Sequence, residues 1–228
     1  SRVEILKGNQ SSVYGSGAIG GTIHITTKKG GPGFKKDINY TTGSHDTHNL
    51  SASISGGDKE KNYYIGFQRF QTDGISQMTH NNEKDRYRNN GLIASFSNKF
   101  SDQIELQSNT RISETYLQYD AACLTDGLFG CSSSFDHSEE TDGVESSTNG
   151  SLIYKPIEKL TNKFTVANTY IKRIYARAAG SKNTQQDNYY GDRYALLYQG
   201  DYNFNIDNSV VFGLEREDEQ MGYNKDAT

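Results

Sequence analysis

At 228 residues the chain has room for one large domain or two small ones. Hydrophobic residues make up only 33%, yet there are 16 tyrosines and 23 glycines. That aromatic content argues against disorder, and strands with one wet side dilute hydrophobicity in the same way. A net charge of -4, with no Lys/Arg cluster along an aromatic stripe, removes nucleic acid as a partner, and no run nears the ~18 apolar residues of a transmembrane helix, which leaves a transmembrane barrel open.

The first patterned stretch is Val3 to Lys29. Val3 and Ile5 alternate with Glu4 and Leu6 until Lys7-Gly8 breaks the strand, and Ile23 and Ile25 alternate with Thr22, His24 and Thr26 in a second one. Gly15, Gly17, Gly20 and Gly21 crowd the space between. Gly15-Ser16-Gly17-Ala18-Ile19-Gly20 also spells the dinucleotide fingerprint. That fingerprint needs a helix whose N-terminus receives the pyrophosphate. The residues that follow, Thr22 to Thr27, read as a strand, so the nucleotide reading fails. Gly30-Gly31-Pro32-Gly33 then marks the best domain boundary.

Beyond the boundary the period is two throughout. Ile38 and Tyr40 oppose Asp37 and Asn39; Leu50, Ala52 and Ile54 oppose Ser51, Ser53 and Ser55. Tyr63, Ile65 and Phe67, then Leu92, Ala94 and Phe96, then Ile104 and Leu106 repeat the pattern. Tyr194, Leu196, Tyr198 and Tyr202 against Gln199, Asp201 and Asn203 give its clearest case, followed by Val210, Phe212 and Leu214. Several stretches stay regular for ten residues or so, nearer the ~9–11 of a tilted membrane strand than the ~5–6 of a soluble one.

Connections alternate in length. Those around Gly57 to Lys61, Ser101 to Gln103, Glu158 to Thr161 and Ile206 to Asn208 are short. Those around Gly74 to Asn89, Ala121 to Ser147 and Gly180 to Asp192 are long and polar, and only the turn at Ser44 to His48 breaks the order. Tight turns at one end and long loops at the other mark an outer-membrane barrel. The fold class is therefore all-β, an antiparallel transmembrane β-barrel portion of about nine strands, incomplete by itself. Leu196, Tyr198, Tyr202, Val210, Phe212 and Leu214 are expected to face lipid, and Gln199 and Asn203 water.

Candidate chemistry is sparse. Cys123 and Cys131, flanked by Gly127 and Gly130 in the third outer loop, fit a loop disulfide in an oxidising compartment, or two unpaired thiols. His45-Asp46-Thr47-His48 fits a two-imidazole metal site or solvated turn residues, and His24, alternating with two isoleucines, is expected to pack within the domain that precedes the Gly30 boundary. No nucleophile, base and acid fall into a catalytic pattern, so no enzyme is expected.

The Val3 to Lys29 segment resembles the end of the plug domain of TonB-dependent outer-membrane receptors. The likeness is carried by Val3, Glu4, Leu6, Lys7, Gly8, Ser11 or Ser12, Tyr14, Gly15, Ala18, Gly20, Gly21, Ile23, Ile25, Thr27 and Lys28. Asn9 stands where that family usually has proline, and Gly17 where many members have aspartate. The resemblance implies a plug end at 1-33 and the N-terminal portion of the barrel at 34-228. Within the family the barrel portion is most similar to cobalamin receptors. Asp73 and Asp120 match positions whose carboxylates bind calcium there, against the plainer reading of solvated loop charge.

The resemblance further implies energised uptake of a scarce ligand, cobalamin or a ferric siderophore, across the outer membrane of a Gram-negative bacterium. Its partners would be the ligand, lipid and the TonB complex, which pulls on an upstream box. Tyr116, Tyr119, Phe129, Tyr189 and Tyr190 are the expected ligand-binding side chains. Ser1 is no natural start, and Lys225-Asp226-Ala227-Thr228 offers no strand to close on, so a longer precursor is expected. The alternatives are an adhesive or structural all-β surface module, which predicts buried apolar faces and a closed soluble fold, and a passive porin.

Overall fold

A computed structural model describes residues 2–9, 18–75, 84–120, 138–177 and 185–227. Ser11, Ser12, Tyr14, Gly15, Gly17, Cys123, Phe129 and Cys131, named above, lie outside them. The described residues form two antiparallel sheets and no helix.

The smaller sheet is a hairpin of β1 (Arg2–Lys7) and β2 (Gly21–Thr26), with Val3 opposite Ile25 and Ile5 opposite Ile23. Partners directly across a ladder share a face, so these four form one apolar side, which is exposed. His24, opposite Glu4 on the other side of the hairpin, is exposed as well. Gly21 has φ +146, and an added Cβ would stand 2.7 Å from the Leu6 carbonyl oxygen, so the position suits only glycine.

The larger sheet is an open meander of nine strands in chain order. These are β3 (Gly33–Gly43), β4 (Thr47–Gly57), β5 (Lys61–Thr72), β6 (Tyr87–Lys99), β7 (Ile104–Asp120), β8 (Ser138–Ile157), β9 (Leu160–Arg177), β10 (Gln185–Asn203) and β11 (Ser209–Ala227). No β3–β11 ladder closes it.

At one end the connections are tight, and three share a device. The Asp58 carboxylate accepts the Glu60 and Lys61 N–H groups at 2.8 Å each, Ser101 Oγ accepts those of Gln103 and Ile104 at 3.2 Å, and Asn205 Oδ1 accepts those of Asp207 and Asn208 at 3.0 and 2.9 Å. A short polar side chain thus replaces the ladder partner that the turning backbone loses. The Lys61 and Glu60 amides hold the Asp58 carboxyl below its ordinary range. Between β8 and β9 the register slips between Tyr154 and Ile157, beside Pro156, which has no N–H to give the ladder.

At the other end the strands run on further than hydrophobic alternation suggests. The stretches expected as loop at 138–147 and 185–192 belong to β8 and β10, and β11 continues to Ala227. Strands lengthen along the sheet, from 11 residues in β3 to 20 in β8 and 19 in β11. A backbone ladder needs only N–H and C=O partners, so polar hairpins extend where an apolar stripe no longer marks them.

Register sorts the side chains onto two faces. One carries Ile38, Leu50, Ile65, Leu92, Leu106, Leu152, Phe164, Leu196 and Leu214; the other carries Asp37, Ser51, Gln68, Asn89, Arg111, Asn149, Thr165, Gln199 and Glu215. The second face is not purely polar, since Phe70, Ile93, Ile171 and Leu197 share it. Along one hydrogen-bonded row, Ile38, Ala52, Phe67, Leu92 and Ile112 give way to Ser146, Tyr170, Asp192 and Gln220. The apolar band therefore crosses the rows obliquely. A level band on strands tilted by ~35–45° does the same.

Burial is inverted relative to a water-soluble domain. Among the described residues the buried hydrophobic side chains are Ala18 and Ala195, while Ser95, Ser97, Asn98 and Ser151 are buried and polar. Ile38 is 76% exposed, Leu196 55% and Leu214 77%. The described residues do not form the sandwich of buried apolar faces that an adhesive module predicts. None of their helices could cross a membrane, because none exists.

Candidate ligand-binding face

The segment joining the two sheets lies on the polar face. Ser95 Oγ donates to the Lys28 carbonyl at 3.2 Å. Gly30 comes so near the barrel strands that an added Cβ would meet the Tyr63 carbonyl at 2.2 Å and the Gly56 carbonyl at 2.5 Å. Above this contact a cavity of about 410 Å³ opens between Lys28 and strands β3 to β7. Asp37, Tyr64, Gln68, Asn89 and Arg111 line it. Asn89 Nδ2 is fixed by Ser113 Oγ and Thr115 Oγ1, both at 2.9 Å, and Gln68 Nε2 donates to Asn49 Oδ1 at 3.2 Å. Such a wall offers hydrogen bonds of both senses to a polar ligand.

Towards the end with the long connections, the same face gathers tyrosines. Tyr175 on β9 meets Tyr189 on β10 edge to face at 5.6 Å, and Tyr189 meets Tyr223 on β11 at 4.9 Å. The Tyr223 hydroxyl donates to Asp187 Oδ1 at 2.9 Å. Tyr119 on β7 shares this face. Tyr175 and Tyr223 were not among the sequence candidates; their only signal is spacing by two from Arg173 and Met221, which becomes readable once register is known. Below the tyrosines, charges pair across strands. Arg173 Nη2 lies 3.2 Å from Glu145 Oε1, and Arg193 pairs with Glu217 and, through Nε at 3.2 Å, with Glu219.

The four expected ligand-binding residues that the structure describes do not share one surface. Tyr119 and Tyr189 lie on the polar face, whereas Tyr116 and Tyr190 lie on the apolar face. Adjacent residues of a strand point oppositely, so Tyr189-Tyr190 had to divide.

Asp73 stands just beyond β5, with Lys84 Nζ 2.6 Å from one carboxylate oxygen and Arg86 Nε 3.6 Å from the other. The Lys84 hydrogen bond holds its carboxyl below the ordinary value of 3.8. Asp120 ends β7. No group of three or more His, Cys, Asp or Glu side chains able to hold a metal occurs among the described residues. His48 is engaged on both nitrogens, by the Tyr40 hydroxyl at 2.6 Å and Asp46 Oδ1 at 3.0 Å. The turn itself is stapled to β5: the Asp73 N–H donates to the His45 carbonyl at 2.8 Å, and Thr47 Oγ1 to Thr72 Oγ1 at 2.9 Å.

No family model matches the chain. Over 124 residues it is 29% identical to the vitamin B12 transporter BtuB of Vibrio cholerae serotype O1, in each of three strains. The alignment covers 52% of this chain and 20% of the relative, so the chain spans about a fifth of the length of the curated relatives it matches. The likeness is to a vitamin B12 transporter, at a distance that leaves this chain's own ligand open.

Proposed function

We propose that the chain is part of a TonB-dependent outer-membrane receptor, with residues 1-33 ending the plug and 34-228 supplying the first strands of the barrel. One observation carries the reading: the sheet turns an uncovered apolar band to one side, while the Lys28–Gly30 segment lies against the polar side. An apolar band without a protein partner calls for lipid, and chain held on the opposite face fills the lumen instead of leaving a passive pore. The Val3 to Lys29 motif and the likeness to a vitamin B12 transporter support the same reading. The ligand would be cobalamin or a ferric siderophore, met first by polar-face side chains such as Tyr119 and Tyr189. TonB would supply the energy. Calcium at Asp73 and Asp120 would require Lys84 to release the Asp73 carboxylate.

The test is uptake by cells whose outer membrane carries the full-length protein as its sole receptor, using labelled cyanocobalamin and a panel of ferric siderophores. Saturable accumulation of one ligand, abolished by an uncoupler of the proton gradient, is the expected result. Uptake indifferent to the uncoupler would mean a passive porin. No uptake of any probe, with the protein correctly inserted, would favour the adhesive module.

A further inference from the structure

Three tyrosines on the polar face make a corner. Tyr175 and Tyr189 stand at 87° with ring centres 5.6 Å apart, and Tyr223 lies beside Tyr189 at 4.9 Å and 37°. Two rings at right angles bound a recess with one face each, and the face of a phenol ring is its negative side. Tyr189 and Tyr223 are 46% and 49% exposed, so much of each ring is open to solvent. Asp187 is the neighbour that all three share. It is paired with Tyr175 across the β9–β10 ladder, accepts the Tyr223 hydroxyl at 2.9 Å, and stands two residues before Tyr189 on the same face.

The arginines beside the corner are already answered. Arg173, across the ladder from Tyr189, is held by Glu145 at 3.2 Å, and Arg193 by Glu217 and Glu219. Among the described residues the cation–π contact is Arg88 on Tyr116, which belongs to the other face. Ring faces and a carboxylate, beside arginines that are neutralised, make this wall attractive to positive charge. A primary ammonium keeps its water in preference to a ring. A methylated ammonium is weakly hydrated and lays its methyl groups on ring faces.

We propose that Tyr175, Tyr189 and Tyr223 hold the quaternary ammonium group of a small free solute such as choline, with Asp187 as its counter-ion. Phosphatidylcholine carries the same group, but the corner is on the face turned away from lipid. The inference rests on the polar face being the water-filled side of the wall, as in the receptor reading above, and adds to that reading a chemical group which the outer part of the wall accepts.

The test is isothermal titration of the full-length protein in dodecyl maltoside, a detergent without an ammonium group. The probes are choline and dimethylbutanol, which has the same shape with carbon in place of the charged nitrogen. Choline should bind about tenfold more tightly than the alcohol. Tyr189→Ala should weaken choline about tenfold, whereas Tyr189→Phe, which keeps the ring face, should bind it as wild type does. Asp187→Asn should weaken it about fivefold. Lys225 is in register with Asp187, so Lys225→Gln, which withdraws a competing cation, should tighten choline binding. Tyr170→Ala, on the opposite face of β9, should leave it unchanged. Heat-modifiable gel mobility checks that each variant is folded. Equal affinity for choline and the alcohol would overturn the proposal, as would undiminished binding by Tyr189→Ala or weaker binding by Lys225→Gln. Loss of choline binding when phosphatidylcholine is added to the micelles would assign the corner to a lipid headgroup and overturn the free solute. None of these measurements needs TonB or uptake, so a failed titration and a failed transport assay are told apart.

Discussion

Gly30 is the residue on which the joint between the two sheets turns. A methyl group there would collide with backbone atoms of Tyr63 and Gly56, which cannot swing aside as a side-chain tip would. Gly30→Ala is therefore expected to cost about 1–3 kcal/mol and to lift the Lys28–Gly30 segment off the sheet, read as faster tryptic cleavage after Lys28 or Lys29. Asp73 sets a second, pH-dependent joint. Its carboxyl is held below 3.8 by Lys84, so the tie is complete above that value and is lost as pH falls through the lower folded-state value. A nitroxide on Ile75→Cys should show broad lines at neutral pH that sharpen in acid, and Asp73→Asn should give the sharp spectrum at every pH.

At the scale of strands, the two faces make opposite demands. Leu196→Arg, in the apolar band of β10, should cost ~2–4 kcal/mol of stability in lipid vesicles, whereas Gln199→Arg, three residues on and facing the other way, should cost little. Urea unfolding of the vesicle-bound protein measures both. The alternation that makes this prediction was plain in β10 and β11, where nearly every second residue is large and apolar, and it gave the number of strands. It failed where strands leave the band. Glu139, Glu140, Thr141, Asp142 and Gly143 carry no periodic signal, yet they pair residue by residue with β7 and β9. The tyrosines were plain in the sequence but the surface they share was not, because parity within a strand decides which of Tyr189 and Tyr190 lies on the polar face, and parity is fixed by cross-strand register.

For the molecule as a whole, the open sheet leaves β3 and β11 each with one edge that pairs with no other described strand. Exposed edges that long are templates for pairing with other chains. The 34-228 segment produced alone and refolded in detergent is expected to associate edge to edge, giving sedimenting species larger than the monomer, whereas the full-length protein should not.

The overhang of the later strands has a further consequence. Twenty residues of β8 reach roughly 66 Å along the chain at ~3.3 Å each, and a tilt of ~40° still leaves about 20 Å beyond a ~30 Å hydrocarbon layer. Hairpins of that height form a stiff collar. On the proposed transporter reading, a solute would meet the mouth of that collar well before it reached the level of the bilayer.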